Sequence, residues 1–211
     1  MPNQQSSVTQ SNYAYLISWD DYNAPAFLYA LLDQDVRVSV AQKPFTIDQD
    51  DISYSMNYGS LVIPVASQII GKEELFNIIK TESNKFGLDI ISIGSGYASA
   101  GIDLGSRYVD PIEKPRVIML THGSTNSYEA GEVWHLLDQR VHMPITKVPE
   151  ENFNRITLED YNTMVLVSGN YNYLDSNDIQ SIKSWVGKGN TLITSRTVSY
   201  THLTLPTICS V

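Results

Sequence analysis

Residues 115–140 of the 211-residue chain read PRVIMLTHGSTNSYEAGEVWHLLDQR and decide the fold prediction. The first six residues are mostly apolar and predict a buried strand, whereas residues 127–140 carry apolar side chains at helical spacing. Asn126 is placed to cap this helix, and Glu129, three positions later, would complete a capping box. The apolar stripe expected to face the core consists of Ala130, Val133, Trp134 and Leu137. The stretch therefore predicts a strand followed by an amphipathic helix.

The same alternation of apolar runs and helical patterns continues on both sides of this stretch. Strands are predicted at residues 13–18, 36–42, 59–66, 88–96, 115–120, 145–149, 162–169 and 190–195. Helices are predicted at residues 24–34, 72–87, 127–140 and 176–189. Strands that alternate with helices favour βαβ units. We therefore expect an α/β fold with parallel sheets that are covered by helices on both faces.

An internal echo indicates that the chain contains two copies of one half. Residues 28–34, LYALLDQ, reappear as VWHLLDQ at residues 133–139, and a tyrosine-led apolar strand follows each copy. We therefore expect two flavodoxin/Rossmann-like βαβ halves, a first α/β half at residues 13–112 and a second, truncated α/β half at residues 113–197.

The two ends of the chain differ from these halves. Residues 1–12 are polar and are predicted to form a disordered lead-in. Residues 198–211, VSYTHLTLPTICSV, continue no expected helix or strand and resemble translated adapter sequence. They are interpreted as a non-native tail, so His202 and Cys209 are left out of the fold prediction.

Composition excludes several classes of partner. The chain has 14 Lys and Arg against 23 Asp and Glu, which gives a formal net charge of -9. An acidic surface repels phosphate backbones, so we expect no nucleic-acid partner. No apolar run reaches the roughly 20 residues that a membrane-spanning helix needs, so no membrane span is expected. The single cysteine, Cys209, excludes a disulfide framework and a thiolate metal site.

The predicted helix at residues 127–140 also carries residue types that bind metals. Glu132 and His135 are three positions apart, as are His135 and Asp138, and His142 lies nearby. Zinc sites need His and carboxylate ligands that converge from one face. The HEXXH pattern is absent, and capping and amphipathicity explain nearly every residue of the segment. No metal-binding residue is therefore assigned.

Loops after two predicted strands are the weak candidates for a ligand site. Gly94 and Gly96 lie in the glycine-rich stretch GSGYASAG, whose backbone could cradle a phosphate, although it lacks the P-loop lysine. His122 and Ser124 follow a predicted strand, at the carboxyl end where α/β folds bind ligands. Ser168 follows a strand in VLVSGNY but lacks the G-x-S-x-G frame of a nucleophile elbow. No catalytic and no cofactor-binding residue is assigned.

The segment KPRVIMLTHGSTNSYEAGEVWHLLDQRVHMPITKV, followed by FNRITLEDYNTMVLVSG and GKGNTLITS, carries a resemblance to a known family. It is similar to the region behind the catalytic domain of large bacterial M14-type zinc carboxypeptidases. In those proteins an SSYEAGEVWHLLDQRF-MP segment is followed by YNTIV and a glycine-rich GGTLI. The resemblance covers residues 13–196 and includes the upstream stretches APAFLYALLDQDVRVSVAQKPFT and GIDLGS.

The resemblance implies a class I glutamine amidotransferase-like α/β fold without its catalytic cysteine. The peptidase needs an H-x-x-E zinc pair, and no such pair begins at His122, His135, His142 or His202. The implied function is a non-catalytic accessory domain fragment of a metallopeptidase, with the missing peptidase domain as its intramolecular partner. Zinc is implied for that missing domain, and no cofactor is implied for this segment. A secreted or periplasmic location is also implied by the family.

Two other functions stay open. A cleft between two α/β halves could bind a small ligand close to the four weak candidates, Gly94, Gly96, His122 and Ser124. An amidotransferase-like hydrolase would need a nucleophile with a base within reach, and the sequence offers no convincing pair.

Overall fold

The structure, a computed structural model, describes residues 8–121 and 123–195. The chain divides into two compact units, which we call unit 1 (Met1–Lys114) and unit 2 (Pro115–Val211). The boundary between the units therefore lies close to the predicted boundary between residues 112 and 113. The predicted tail at residues 198–211 lies outside the described residues.

Unit 1 combines short strands with two helices. Its elements are β1 (Ala14–Ile17), α1 (Ala24–Asp33), β2 (Ser39–Ala41), β3 (Phe45–Gln49), β4 (Ile52–Met56), β5 (Leu61–Pro64), α2 (Lys72–Phe86), β6 (Ile91–Ile93), β7 (Ala100–Gly101) and β8 (Val109–Pro111). Strands β1, β2, β5 and β6 and both helices lie where the apolar patterns predict them. Strands β3, β4, β7 and β8 were not predicted.

Local signals explain where the two helices begin and end. Pro25 lies in the first turn of α1, where its missing N–H costs no hydrogen bond. Gly87 ends α2 in the left-handed conformation, with φ of 69°, as the sequence predicts. Across the described part of the chain, no helix is both long enough and apolar enough to span a bilayer.

The large sheet of unit 1 has the strand order β6-β1-β5-β2-β8, and every neighbouring pair in it is antiparallel. Strands β1 and β2 therefore run parallel to each other on either side of β5. Strands β5 and β6 likewise run parallel on either side of β1. The units β1-α1-β2 and β5-α2-β6 are thus interleaved, which is the ferredoxin-like split βαβ arrangement. The predicted parallel sheet is wrong for this half.

The error has a physical reason, since this sheet is covered on both faces. Tyr15 and Ile17 pack on the side of α1 and α2, whereas Ala14 and Leu16 pack on the side of a second sheet, β4-β3-β7. A strand buried on both faces reads as a continuous apolar run, whichever direction its neighbours take. The helix-side core includes Phe27, Leu31, Leu61, Ile63, Leu75 and Ile79.

The hairpin of β3 and β4 turns at two aspartates. Asp50 and Asp51 both have positive φ, 52° and 62°. Positive φ at both central residues is the type I′ geometry that matches the twist of a two-residue hairpin. The sequence lacks the Asn-Gly or Asp-Gly signal for this turn, so the alternating strands FTIDQ and ISYSM were not recognised as a pair.

Residues 8–12, which the polar composition assigns to a disordered lead-in, pack against β6. Ser11 is buried, and its Oγ donates a hydrogen bond to the carbonyl of Ile93 at 2.6 Å. Ser92 Oγ donates to the carbonyl of Thr9 at 2.7 Å. The side chain of Val8 is also buried in the helix-side core. The rest of the predicted lead-in, residues 1–7, lies outside the described residues.

Unit 2 has one parallel sheet. Its elements are β9 (Val117–Thr121), α3 (Ser127–Trp134), β10 (Ile145–Pro149), β11 (Thr163–Leu166), α4 (Ser176–Gly187) and β12 (Thr191–Thr194). The strand order is β10-β9-β11-β12, and all three neighbouring pairs are parallel. The prediction of a parallel sheet is confirmed for this half, and the order agrees with a flavodoxin-like sheet.

Helices cover both faces of the sheet in unit 2. On one face, the predicted stripe of α3 and the segment after it packs against Val117, Met119, Val165 and Val167. On the other face, α4 supplies Ile182 and Trp185, which pack against Ile118, Leu120, Met164 and Leu166. Trp185 is buried, and its Nε1 donates to the carbonyls of Leu158 and Tyr161 at 2.8 and 3.1 Å.

The predicted helix at residues 127–140 is present in two parts. The α-helix α3 ends at Trp134, and His135–Arg140 continues as a π-helical segment. Asn126 Oδ1 accepts the N–H groups of Tyr128 and Glu129 at 3.0 and 3.2 Å, so the predicted cap is confirmed. The two copies of the echo differ here, because LYALLDQ lies within α1 and the turn after it, whereas VWHLLDQ crosses into the π-helical segment.

Candidate functional site

The strand order of unit 2 reverses between β9 and β11. β9 connects through α3 to β10 on one side, and β11 connects through α4 to β12 on the other. In open parallel sheets, ligands bind outside the carboxyl ends of the strands at such a switch point. The residues that follow β9, β11 and β12 are therefore the place where the fold favours a site.

Glu129 joins the ends of two of these strands. Its Oε2 accepts the backbone N–H of Ser168 at 2.9 Å and the hydroxyl of Ser195 at 2.6 Å. The same N–H of Ser168 also lies 3.0 Å from Ser195 Oγ, and the two serine hydroxyls are 3.2 Å apart. We call Glu129, Ser168 and Ser195 the switch-point cluster. All three side chains are partly buried.

The loop after β9 is fastened to the loop after β11. Asn126 donates its N–H to the carbonyl of Ser168 at 2.7 Å, and Ser124 Oγ donates to the carbonyl of Asn170 at 3.0 Å. An isolated antiparallel bridge pairs Thr125 with Gly169. A Cβ at Gly169 would lie 2.8 Å from Thr125 Cα, so only glycine permits this approach. Ser124, a predicted site residue, thus lies beside the switch-point cluster.

Only one of the two hydrogen bonds of the predicted capping box forms: the Glu129 N–H donates to the Asn126 side chain, but the Glu129 side chain does not accept the Asn126 N–H. The Asn126 N–H that Glu129 would have accepted already bonds to Ser168. The Glu129 carboxylate points instead toward Ser168 and Ser195. The helix N-terminus still favours this negative charge. Glu129 therefore connects α3 to the sheet, in addition to lying in the first turn of the helix.

Tyr171 follows β11 and is buried near the charge of Glu129. Its ring is 1% exposed, and its hydroxyl donates to the carbonyl of Val167 at 2.9 Å. Burial raises the pKa of Tyr171 to about 12, and the nearby negative charge of Glu129 acts in the same direction. The neutral phenol is therefore the form that the folded state stabilises.

The geometry of the switch-point cluster limits its chemistry. Ser168 Oγ contacts the hydroxyl of Ser195, which is a weak base, and the Ser168 N–H already donates to Glu129 and Ser195. An activated serine nucleophile needs a general base within hydrogen-bond reach. The Ser195 hydroxyl does have a carboxylate within that reach, since it donates to Glu129 Oε2 at 2.6 Å. The geometry of the cluster is therefore compatible with a structural clasp, with a polar contact for a ligand or with a serine–carboxylate pair.

In the glycine-rich loop of unit 1, backbone N–H groups already donate hydrogen bonds to side chains of the protein. Gly94 donates its N–H to Gln49 Oε1 at 2.8 Å, and Ala98 donates to Asp103 Oδ1 at the same distance. A phosphate cradle would need such N–H groups to point at the anion. A phosphate bound here would have to displace these side-chain acceptors.

Gly96 has a packing role in the same loop. A Cβ at Gly96 would lie 2.0 Å from Tyr13 Oη, so the glycine lets the tyrosine hydroxyl approach the backbone. Gly94 and Gly96 belong to unit 1, whereas Ser124 belongs to unit 2.

The remaining sequence candidates are placed as follows. His122 lies outside the described residues, as do His202 and Cys209. Glu132 and His135 are exposed on the outer face of α3 and the π-helical segment. Within residues 8–121 and 123–195, no three His, Cys, Asp or Glu side chains are grouped in a way that could hold a metal ion.

The fold and the switch-point cluster define a two-unit α/β protein with an interleaved antiparallel sheet in unit 1 and a parallel sheet in unit 2. No family model, curated protein or solved structure matches the chain.

Sequence reasoning missed Ser195 and the contacts that Glu129 makes with the distant residues Ser168 and Ser195. A signal was present, because Ser168 and Ser195 each follow a short apolar strand in VLVS and TLITS. The carboxyl ends of parallel strands meet at one edge of a sheet, so two such serines are expected to lie close together.

Proposed function

We propose that this chain is a non-catalytic accessory α/β segment of an M14-type zinc carboxypeptidase. The observation that carries the proposal concerns the segment SYEAGEVWHLLDQR, in which the family resemblance is most specific: its side chains make contacts within unit 2. Asn126 before it caps α3, its Glu129 clasps Ser168 and Ser195, and its apolar stripe packs on the sheet. These contacts support a role of the segment in the scaffold.

The fold of unit 2 supports the finer part of the proposal. A parallel sheet with helices on both faces is compatible with a class I glutamine amidotransferase-like fold for that unit. Unit 1 departs from this fold, since its large sheet is antiparallel. The amidotransferase-like description is therefore proposed for unit 2 alone.

The proposed role is to bind and stabilise a catalytic domain elsewhere in the parent protein. The catalytic zinc and its ligands would belong to a separate peptidase domain of the parent protein, and this segment would bind that domain and stabilise it. The parent would be exported, as the family resemblance implies. The acidic character of the chain, with a net charge of -9, would require a docking surface on the peptidase domain that is neutral or basic.

The first experiment tests whether the segment is free of peptidase activity. The purified chain is incubated with Zn²⁺ and with N-acyl dipeptides that end in Phe, Arg or Glu, and release of the terminal residue is measured. We expect no release above a protein-free control. Release that is abolished by a chelator would contradict the proposal.

The second experiment tests the proposed partner. The reading frame upstream of the codon for Met1 is sequenced, and a domain with an H-x-x-E pair is expected there. That domain is then purified with and without this segment. A ligand or partner that binds only the folded state raises the melting temperature, so the two-part protein should melt higher. Equal melting temperatures and no co-purification would contradict the proposal.

A second candidate function is a small-ligand binding module. The observation that favours it is the strand-order switch of unit 2, with Ser124 and the switch-point cluster at the carboxyl ends of β9 and β11. The test is a thermal-shift screen with dipeptides, monosaccharides and nucleotides. A shift that Ser124→Ala reduces would support this function, and a flat response to the whole panel would contradict it.

A further inference from the structure

Two loops of unit 1 that take no part in the switch-point cluster lie against each other. Residues 18–22, SWDDY, follow β1, and residues 57–59, NYG, connect β4 to β5. A Cβ at Gly59 would lie 3.2 Å from the ring of Trp19, and Gly59 has a φ of +81°. Asn57 Nδ2 donates to Asp20 Oδ2 at 3.3 Å. The loops therefore form one continuous surface.

This surface exposes three aromatic side chains. Trp19 is 40% exposed, Tyr58 is 66% exposed and Tyr22 is 73% exposed. One side of the Trp19 ring lies against the Gly59 backbone, and part of the ring stays open to solvent. Tryptophan and tyrosine are enriched among the residues that contribute most to binding, because they bury a large area at low entropic cost.

The charged side chains of these two loops, Asp20 and Asp21, are both carboxylates. Asp20 and Asp21 are both exposed, and Ser18 Oγ and Asn57 Nδ2 both donate to Asp20 Oδ2, which orients that carboxylate. Residues 1–36 and 44–71 contain no lysine and no arginine, so both loops lie in long stretches without a positive charge. Such a surface is complementary to a cation.

We propose that this surface, which we call the aromatic–carboxylate patch and which consists of Trp19, Asp20, Asp21, Tyr22 and Tyr58, binds arginine side chains of a basic peptide segment. A planar guanidinium group can stack on an indole or phenol ring and donate hydrogen bonds to a carboxylate at its edge. The patch offers both kinds of group in two loops that contact each other. The inference does not depend on the proposed accessory role, since it concerns other residues and another measurement.

The experiment compares two labelled peptides on the full chain. Fluorescein-labelled Gly-Arg-Gly-Arg-Gly is titrated with the protein and followed by fluorescence polarisation at low and at high salt. The second peptide carries citrulline at both arginine positions, so it keeps the shape and loses the charge. We expect the citrulline peptide to bind at least about fivefold more weakly, because cation–π and carboxylate contacts both need the charge. The arginine peptide should also weaken as salt rises.

Variants locate the site. Asp20→Asn with Asp21→Asn, and separately Tyr58→Ser, should each weaken the arginine peptide by about threefold to tenfold. The matched control is Asp50→Asn with Asp51→Asn, which removes the same charge at the far end of the β3–β4 hairpin and should change binding by less than about twofold. Circular dichroism and the urea midpoint check that each variant is folded.

Three outcomes would overturn the inference. The first is no measurable binding of the arginine peptide to the unmodified chain, and the second is equal binding of the citrulline peptide; neither needs a variant to fold. The third is an equal loss in the Asp50 and Asp51 control. Salt-independent binding of a neutral oligosaccharide such as cellohexaose, in place of the peptide, would assign the patch to sugars and would also overturn it.

Discussion

Glu129 Oε2 lies 2.6 Å from Ser195 Oγ, although the two residues are separated by 66 positions in the chain. The contact joins the first turn of α3 to the end of β12, and the same carboxylate oxygen holds the N–H of Ser168 at the end of β11. One side chain therefore connects a helix to two parallel strands. Four predictions follow from this contact and from other features of the two units.

Removing the carboxylate should destabilise unit 2. Glu129→Ala takes away an acceptor of the Ser168 N–H and of the Ser195 hydroxyl, and a hydrogen bond to a charged group contributes about 1.5–3 kcal/mol. The Ser168 N–H keeps Ser195 Oγ as a second acceptor, which reduces the loss. We expect a loss of about 2 kcal/mol in the free energy of unfolding, measured by urea titration with tryptophan fluorescence. Glu132→Ala, an exposed glutamate on the same helix, is the control and should change it by less than about 0.5 kcal/mol.

Two glycines of unit 2 should respond to alanine with opposite signs. A Cβ at Gly169 would lie 2.8 Å from backbone Thr125 Cα, so Gly169→Ala should destabilise the fold by about 2 kcal/mol. Gly131 lies inside α3 with open space around its Cβ position, so Gly131→Ala should stabilise it by about 0.5–1 kcal/mol. Urea midpoints of both variants check the signs. A loss at Gly131 would contradict the open space around that position, and an unchanged midpoint at Gly169 would contradict its close packing against Thr125.

Stability should fall at alkaline pH through Tyr171. Its folded-state pKa is raised to about 12 from an ordinary value of 10.0. The contribution of Tyr171 is therefore fully present below pH 10 and is lost as pH rises from 10 toward 12, since the unfolded chain releases this proton first. Tyr171→Phe should flatten the fall of the urea midpoint across this range, after an initial loss of about 1 kcal/mol for the hydrogen bond to Val167.

Tyr128→Phe is the control for the alkaline prediction. Tyr128 is 84% exposed, so Tyr128→Phe makes the same change of side chain on the surface. The pH profile of this variant should follow that of the unmodified chain. A Tyr171→Phe profile as steep as the control profile would contradict the assignment to Tyr171.

Substitutions in the turn of the β3–β4 hairpin should stabilise the protein. Asp50 and Asp51 adopt positive φ, which costs a residue with a Cβ about 1–2 kcal/mol unless its side chain is well suited to it. Asp50→Asn with Asp51→Gly installs the preferred type I′ pair and should raise the unfolding free energy by about 1 kcal/mol. The reverse check is Asp51→Val, whose branched side chain should lower the urea midpoint of unit 1.

Much of unit 2 could be predicted because its local signals agree with its tertiary structure. Asn126 caps α3, and the stripe of Ala130, Val133 and Trp134 packs on the sheet as helical spacing predicts. The π-helical segment after Trp134 could not be predicted, because its sequence HLLDQR has the same spacing as an α-helix. The partner of Glu129 was missed because the capping box is a local rule, whereas Ser195 arrives from 66 positions away.

The two proposed binding surfaces differ in how far the sequence indicated them. Ser124 and Ser168 were placed near a strand end by their position after apolar runs, and the structure brings them to the same edge of the unit 2 sheet. Trp19 and Tyr58 gave no signal, because each is a single aromatic residue in a polar loop. Only the pairing of β1 with β5 brings those two loops together.

The sequence by itself determined where most helices and strands lie and that α2 ends at Gly87. These features depend on side-chain spacing and on caps within a few residues. Only the tertiary structure decided that β5 lies between β1 and β2 in an antiparallel sheet, while β9 and β11 are parallel. Strand direction depends on which distant segments pair. The sequence of an apolar strand buried on both faces does not indicate whether its neighbours run parallel or antiparallel to it.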